Sequence, residues 1–364
     1  MSSSQSRCRV SLRTLVFGCW ACCFLPCSSQ AIAQDVRIEV FGLFHSRQLS
    51  LSPVKGSALT VQTGDETFVL EESSAQSSAR IRVVGDRLQV EIERRVISAS
   101  SIHASSRNQA PADFVLEVPG RIRRVYSGAL NISVDSGVLL PVVTMDLETA
   151  VASVVQAESD PGTPIEALKA QAVAARSYFS ATKGRHHRSD FCDTTHCQFL
   201  REQPAPNSPA EAATLATRGL VLAYEDRPVS AMYTRSCGGR TKTPAEIGLS
   251  VHDYPYFPVT CSYCAQNPFR WSRRLSRDDA AGLLASSETA RLRTDRRFGW
   301  DAVPSNNFTL HAEGQHILLE GTGQGHGVGM CQHGARAMTE NGASFHDILQ
   351  HYYPNPQLIK LNHE

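Results

Sequence analysis

Charge of one sign and long apolar runs are what this chain of 364 residues lacks. Lys and Arg number 36 against 35 Asp and Glu, for a formal net charge of +1. No basic excess therefore points to nucleic acid, and no acidic run reads as a solvating tail. No apolar run reaches the roughly 20 residues that a bilayer-spanning helix needs. Three chemical signatures are missing as well. The glycines never fall in G-x-G-x-x-G, no Walker lysine follows a glycine-rich loop, and no G-x-S-x-G elbow frames a serine nucleophile, so no organic cofactor is indicated. What is present is ordinary for a globular protein, with 41% apolar and 20% charged residues. The length suits two modest domains, or one with a large insertion.

Residues 1–33 read as a signal peptide. Arg7, Arg9 and Arg13 make a positive start, Leu15 to Leu25 is a short apolar run, and Ala31-Ile32-Ala33 fits a small-x-small cleavage site that leaves Gln34 first. Gly18 and Pro26 interrupt the run, which argues against a retained anchor, and Pro26 before Cys27 is a poor match to a lipid-attachment site. The expected location is outside the cytoplasm, in periplasm or cell wall. Removal of the leader takes away Cys8, Cys19, Cys22, Cys23 and Cys27, leaving Cys192, Cys197, Cys237, Cys261, Cys264 and Cys331 where disulfides persist.

An α+β chain is expected, with a β-rich unit over 34–120 followed by a mixed α/β domain over 121–364. From Val36 to Leu116 short apolar runs alternate at period two between turn signals. The period then changes. Leu147, Val151, Val154 and Val155 recur at helical spacing, and Glu158 returns to that apolar stripe just before Ser159-Asp160-Pro161-Gly162 ends the helix. A second helix is expected to start with Thr163 as cap, Pro164 at its first position and Glu166 in a capping box, and to stop at Gly184. Its apolar stripe is Ile165, Leu168, Ala172, Ala175 and Phe179, while Arg176 shares another face that could point at a cleft. Strands are expected over Leu220–Asp226 and Val229–Gly239, only a short helix within 265–305, and two helices near the C-terminus.

Four groups of residues could carry chemistry. Glu158, on an apolar stripe, would resist ionisation, which suits a general acid for a glycosidic oxygen; the bland alternative is a helix-end Glu reaching water. His186-His187 with Cys192-x-x-x-His196-Cys197 offers four donors for a structural Zn²⁺, and a Cys192–Cys197 disulfide competes with it. The glycine-dense Gly321 to Gly329 places His326 where it could reach a cleft, or serve structure alone. Ser236-Cys237-Gly238-Gly239 and Cys261-x-x-Cys264 are a weak metal signal, and in an exported chain disulfides are the favoured reading.

In combination and order, VYSGALNI, LETAVASVVQAESD, IEALKAQAVAARSYF, CDTTHCQF, TRGLVLAY, SCGGRT, PYFPV and GQGHGVGMCQHGARAMTENGASFHDILQHYY resemble the stage II sporulation protein D family, whose other branch is the amidase enhancers. The resemblance runs from about Tyr126 to the C-terminus. It implies a lytic transglycosylase cutting the bond between N-acetylmuramic acid and N-acetylglucosamine in peptide-stripped glycan strands, with Glu158 as acid/base. It further implies zinc ligands at Cys192, His196, Cys197 and a preceding His, which is His186 or its neighbour His187. Arg176, Tyr178, Gln198, Ser236 and His326 fall in family blocks as candidates for the substrate groove. The implied partners are peptidoglycan strands, a wall amidase or a membrane-anchored recruiter; the competing function is a glycan-binding amidase enhancer without catalysis. Sporulation itself does not follow from the family name.

Overall fold

The computed structural model describes residues 34–361, apart from 72–76, 109 and 286. The expected leader and its cysteines lie outside the described residues. Among those described, no helix is long and apolar enough to cross a membrane.

The period-two segments become strands that bury alternate side chains, as in Gln48–Pro53, where Leu49, Leu51 and Pro53 face inward. Eleven strands precede the first α-helix: β1 (Asp35–Glu39), β2 (Gln48–Pro53), β3 (Ala58–Thr63), β4 (Glu66–Glu71), β5 (Ala79–Val84), β6 (Arg87–Ile92), β7 (Arg95–Ala99), β8 (Ser101–Ser105), β9 (Ala112–Val118), β10 (Ile122–Asp135) and β11 (Val138–Asp146). With the short β12 (Phe191–Cys192) they form one twelve-stranded sheet, ordered β12-β1-β11-β10-β9-β2-β5-β6-β7, from which β8, β3 and β4 branch. The branch point is β10. Its first half pairs with β9 and its second half with β8 and β11. Gly128 lies at the change of partners with φ of 150°, and a Cβ there would strike the Thr144 carbonyl oxygen of β11, so glycine allows the strand to bend and the sheet to curl. The expected boundary at 120 falls in the β9–β10 turn of this sheet, and strands on both sides of it share one ladder.

Helix α1 (Leu147–Glu158) follows the sheet directly. Asp146 caps it by accepting from the Glu148 and Thr149 amides, and Leu147, Val151, Val154 and Val155 are buried as their spacing required. Helix α2 (Ile165–Ala181) starts differently from expectation. Pro164 is the N-cap and has no side-chain cap bond, and the Thr163 hydroxyl donates instead to the Asp160 carbonyl. Glu166 pairs with Lys169 and accepts from the Phe345 amide. The capping box fails because Thr163 sits one residue too early to reach the first turn. Ile165 is 42% exposed and so does not join the buried stripe expected for it.

The rest of the chain wraps around α2. Helix α3 (Pro209–Ala216) leads to β13 (Leu220–Tyr224), which pairs with β14 (Arg227–Pro228) and, from the far C-terminus, β20 (Gln357–Lys360). The strand expected over Val229–Gly239 is reduced to β15 (Tyr233–Thr234), which pairs in parallel with β19 (Met330–Cys331). A helix α4 (Ser262–Gln266) follows. The stretch 265–305 is more ordered than its sequence suggested, with β16 (Arg270–Ser276), α5 (Arg277–Ala280) and α6 (Glu288–Phe298). There β16 joins β17 (Phe308–Glu313) and β18 (His316–Thr322) in a small sheet. Helices α7 (Gln332–Glu340) and α8 (Phe345–Tyr352) close the chain.

Helix α2 is buried between two cores. Leu168, Ala172, Ala175 and Phe179 pack into the core of the large sheet and α1, whereas Ala167, Ala170, Val173 and Ala174 pack into a second core with α7, α8 and β13. Its alanines let backbones come close on both sides. Arg176 is fully buried in this helix, contrary to the expectation that it lines a cleft. Its guanidinium meets both Glu148 oxygens, at 2.9 and 2.6 Å, and the carbonyls of Leu220 and Thr214. The second core surrounds the face that the pattern left polar, so the charge is neutralised inside the protein. We expect Arg176→Met to destabilise the fold by about 3–5 kcal/mol in urea unfolding, because Glu148 is then left nearly buried without its cation. Adding Glu148→Gln should restore part of that loss.

Candidate active site

Glu158 is the last residue of α1, and the chain leaves the helix at Ser159 in extended conformation. Its side chain is partly buried in a cleft formed by Asp160, Thr163, Gln171, Gln332, His333 and Arg336. The cavity within this cleft is only about 20 Å³, room for one water-sized body, so a sugar would lie across its mouth. Burial pushes the Glu158 carboxyl up to about 7. Hydrogen bonds from the Gln332 side chain and the Phe199 backbone, and the charges of Arg235 and Arg201, pull the other way. Gln332 also donates to the Glu158 carbonyl at 3.2 Å and to Gln171 Oε1 at 3.3 Å, so α1, α2 and α7 meet at one amide.

Asp160, two residues on, has a different environment. Arg235 donates to it at 2.6 Å and His333 Nε2 lies 3.9 Å away. Two nearby carboxyl groups thus sit in different surroundings: burial pushes one up to about 7, and the other is paired with a cation.

A second cluster lies at the edge strand β12. The ligand atoms of His186, Cys192, His196 and Cys197 all fall within 4.8 Å of one another. His186 Nε2 is 3.2 Å from the Cys197 sulfur, and His196 Nδ1 is 3.6 Å from Cys197 and 3.8 Å from Cys192. Both cysteines are free thiols. His187 is exposed and stands outside the group. Two imidazoles and two thiols converging on one point suit the tetrahedral preference of Zn²⁺.

The comparisons with known proteins bear on both places. A family model described as stage II sporulation protein matches residues 135–224, a span containing Glu158 and the His/Cys cluster. Stage II sporulation protein D of Bacillus amyloliquefaciens is 27% identical over 253 residues, covering 58% of this chain and 74% of that protein. Over these stretches the chain is similar to the stage II sporulation protein D family, at modest identity. An uncharacterized protein of Brachyspira hyodysenteriae is 29% identical over 271 residues, 65% of this chain and 73% of its own length. The amidase enhancer of Bacillus subtilis is 26% identical over 274 residues, 53% of this chain but only 38% of the enhancer.

The five groove candidates do not gather around Glu158. Arg176 is the buried ion pair described above. Tyr178 packs against Phe191 and takes a hydrogen bond from Arg185, beside the His/Cys cluster. Gln198 is buried, donating to the Ala175 carbonyl and accepting from the Tyr233 hydroxyl at 2.9 Å. Ser236 is buried with its hydroxyl 3.5 Å from the Cys264 sulfur. The His326 ring accepts from the Val328 amide, and burial lowers its pKa, against the smaller raising influence of Glu288. The residues that do surround Glu158 were missed: Gln171, Gln332, His333, Arg235 and Arg336. Gln332 and His333 stand in the quoted GMCQHGA block, but nothing in their spacing announces that α7 docks on the end of α1.

A carboxyl held near 7 when folded and near 4.5 when unfolded retains its proton better in the native state, so it adds stability that is complete below about pH 4.5 and lost as pH rises through about 7. Glu158→Gln removes this dependence. Thermal unfolding of parent and variant between pH 4 and 8 should show the variant gaining on the parent as pH rises, and parallel curves would contradict the buried-carboxyl geometry.

Proposed function

We propose that the chain is an exported peptidoglycan enzyme, a lytic transglycosylase that cuts between N-acetylmuramic acid and N-acetylglucosamine with Glu158 as acid and then base. The observation that carries this reading is the placement of Glu158 at the end of α1, opening on a polar cleft where burial pushes its carboxyl up to about 7. The names of the relatives, a sporulation protein of this family and an amidase enhancer, support peptidoglycan as the material acted upon.

In the proposed reaction protonated Glu158 donates to the glycosidic oxygen, and the bond from that oxygen to the anomeric carbon breaks with its electrons leaving on oxygen. The resulting carboxylate takes the proton from the 6-hydroxyl of the same muramic residue. That oxygen then bonds to the anomeric carbon and closes a 1,6-anhydro ring, and Glu158 is again protonated. One carboxyl suffices for both transfers, unlike the paired acids of glycoside hydrolysis. Asp160 is instead ion-paired with Arg235 at 2.6 Å. The hydrogen bonds from Gln332 and Phe199 hold the Glu158 carboxyl in place, while Arg235 and Arg201 keep its anionic form within reach.

His186, Cys192, His196 and Cys197 would hold Zn²⁺, which with four protein donors supplies a crosslink and no open position for chemistry. In that role it ties β12 and the loop before it to the sheet edge at β1. Stripping the metal should therefore lower the melting temperature; activity lost with the fold intact would instead place a metal at the chemistry.

A second reading, a glycan-binding enhancer of a wall amidase, has the Bacillus subtilis relative in its favour. The mature protein and Glu158→Gln, incubated with peptide-stripped and intact wall glycans, separate the two. We expect the substitution to cut release of anhydro ends by about 10²–10⁴-fold, with glycan binding retained, as read by mass spectrometry. Release at the parental rate would overturn the proposal; amidase stimulation without anhydro products from either protein would establish the enhancer.

A further inference from the structure

Four cysteines from separate parts of the chain meet inside the second core. Cys237 lies in the turn after β15, Cys261 caps the start of α4, Cys264 is within α4, and Cys331 ends β19 and caps α7. They are 0–3% exposed, all free thiols, and their four sulfurs lie within 4.8 Å of one another, with Cys264 and Cys331 at 3.5 Å. A tetrahedral centre with metal–sulfur bonds near 2.3 Å sets its sulfurs about 3.8 Å apart. The spacing expected from the sequence to give disulfides thus gives a single knot of four sulfurs.

From this we infer that Cys237, Cys261, Cys264 and Cys331 form a closed tetrathiolate site for a thiophilic divalent metal, Zn²⁺, distinct from the His/Cys cluster. The surroundings are built for sulfur that carries negative charge. The Cys237 and Gly334 amides each donate to Cys331 at 3.4 Å, the Tyr352 hydroxyl donates to Cys261 at 3.5 Å, and the Ser236 hydroxyl stands 3.5 Å from Cys264. Donors aimed at three of the four sulfurs stabilise metal-bound thiolates, whereas a disulfide sulfur accepts weakly and gains little from them. The positive-φ Gly238 and Gly239 turn the chain just after Cys237, and a Cβ on Gly334 would run into both Tyr352 and Cys261.

The site also has a mechanical consequence. Cys331 is followed directly by Gln332, whose amide holds Glu158, and by His333 beside Asp160. A metal at the tetrad would anchor the start of α7 and hold Gln332 on the carboxyl. Ser236, given above as a groove candidate, is then a partner of this metal site, which accounts for its burial. The inference does not depend on the proposed reaction, since its test reads metal and thiols.

The test uses the mature chain carrying Cys192→Ser and Cys197→Ser, which removes the first cluster and leaves the tetrad alone. We expect about one Zn²⁺ per chain by elemental mass spectrometry, four thiols that react only after denaturation with a chelator, and thiolate-to-metal charge-transfer bands when Co²⁺ replaces the zinc. Adding Cys264→His should keep the metal and shift the cobalt spectrum, and adding Gly334→Ala should weaken metal retention without removing a ligand. A metal-free chain whose intact mass is four hydrogens short, with no thiol reacting under denaturing conditions, would overturn the site in favour of two disulfides. A metal-free chain with four reactive thiols would overturn it as well, and iron in place of zinc would overturn the choice of metal. If the serine pair does not fold, the parent decides the question, with two metals per chain expected and one or none contradicting the proposal.

Discussion

Helix α2 has two hydrophobic cores to satisfy and nearly no face left for water, and the positions of the other elements follow from that. Small side chains let the sheet-and-α1 layer approach from one side and the α7–α8 layer from the other. The one large charge in its middle, Arg176, is tolerated because Glu148 and two backbone carbonyls use its donors. That ion pair joins the first turn of α1 to the fourth turn of α2. With α1 so fixed, its last residue, Glu158, arrives beside Gln171 of α2 and Gln332 of α7.

Burial alone would leave Glu158 a permanent acid, and the nearby cations alone would leave it a permanent anion. The cleft balances the two, with desolvation the larger influence and hydrogen bonds and arginines the smaller. Asp160 shows how local this balance is. Two residues along, it is instead ion-paired with the Arg235 guanidinium at 2.6 Å.

Two groups of soft-ligand side chains lie outside the residues lining the Glu158 cleft. The His/Cys group lies on and beside β12, which pairs with β1, and the four cysteines bring together the start of α7, α4 and the turn after β15. Neither reaches Glu158 directly. With metal bound as proposed, each would brace an element against the packed framework on which the carboxyl depends.

Local chemistry was legible without a fold. Period-two alternation marked the strands, the apolar stripe from Leu147 to Val155 marked α1 and put Glu158 at its end, and the ordered motifs pointed to the family. Those features depend on residues near one another in sequence, where side-chain direction follows from backbone repeat alone. What depends on contact between distant segments was decided by tertiary structure: that Arg176 turns inward to Glu148, that Gln332 reaches Glu158 across 174 positions, that His186 and not His187 joins the cluster, and that Cys237, Cys261, Cys264 and Cys331 converge. A sequence pattern states which face of a helix is apolar but not which surface will cover its polar face, and for α2 that surface was a second core.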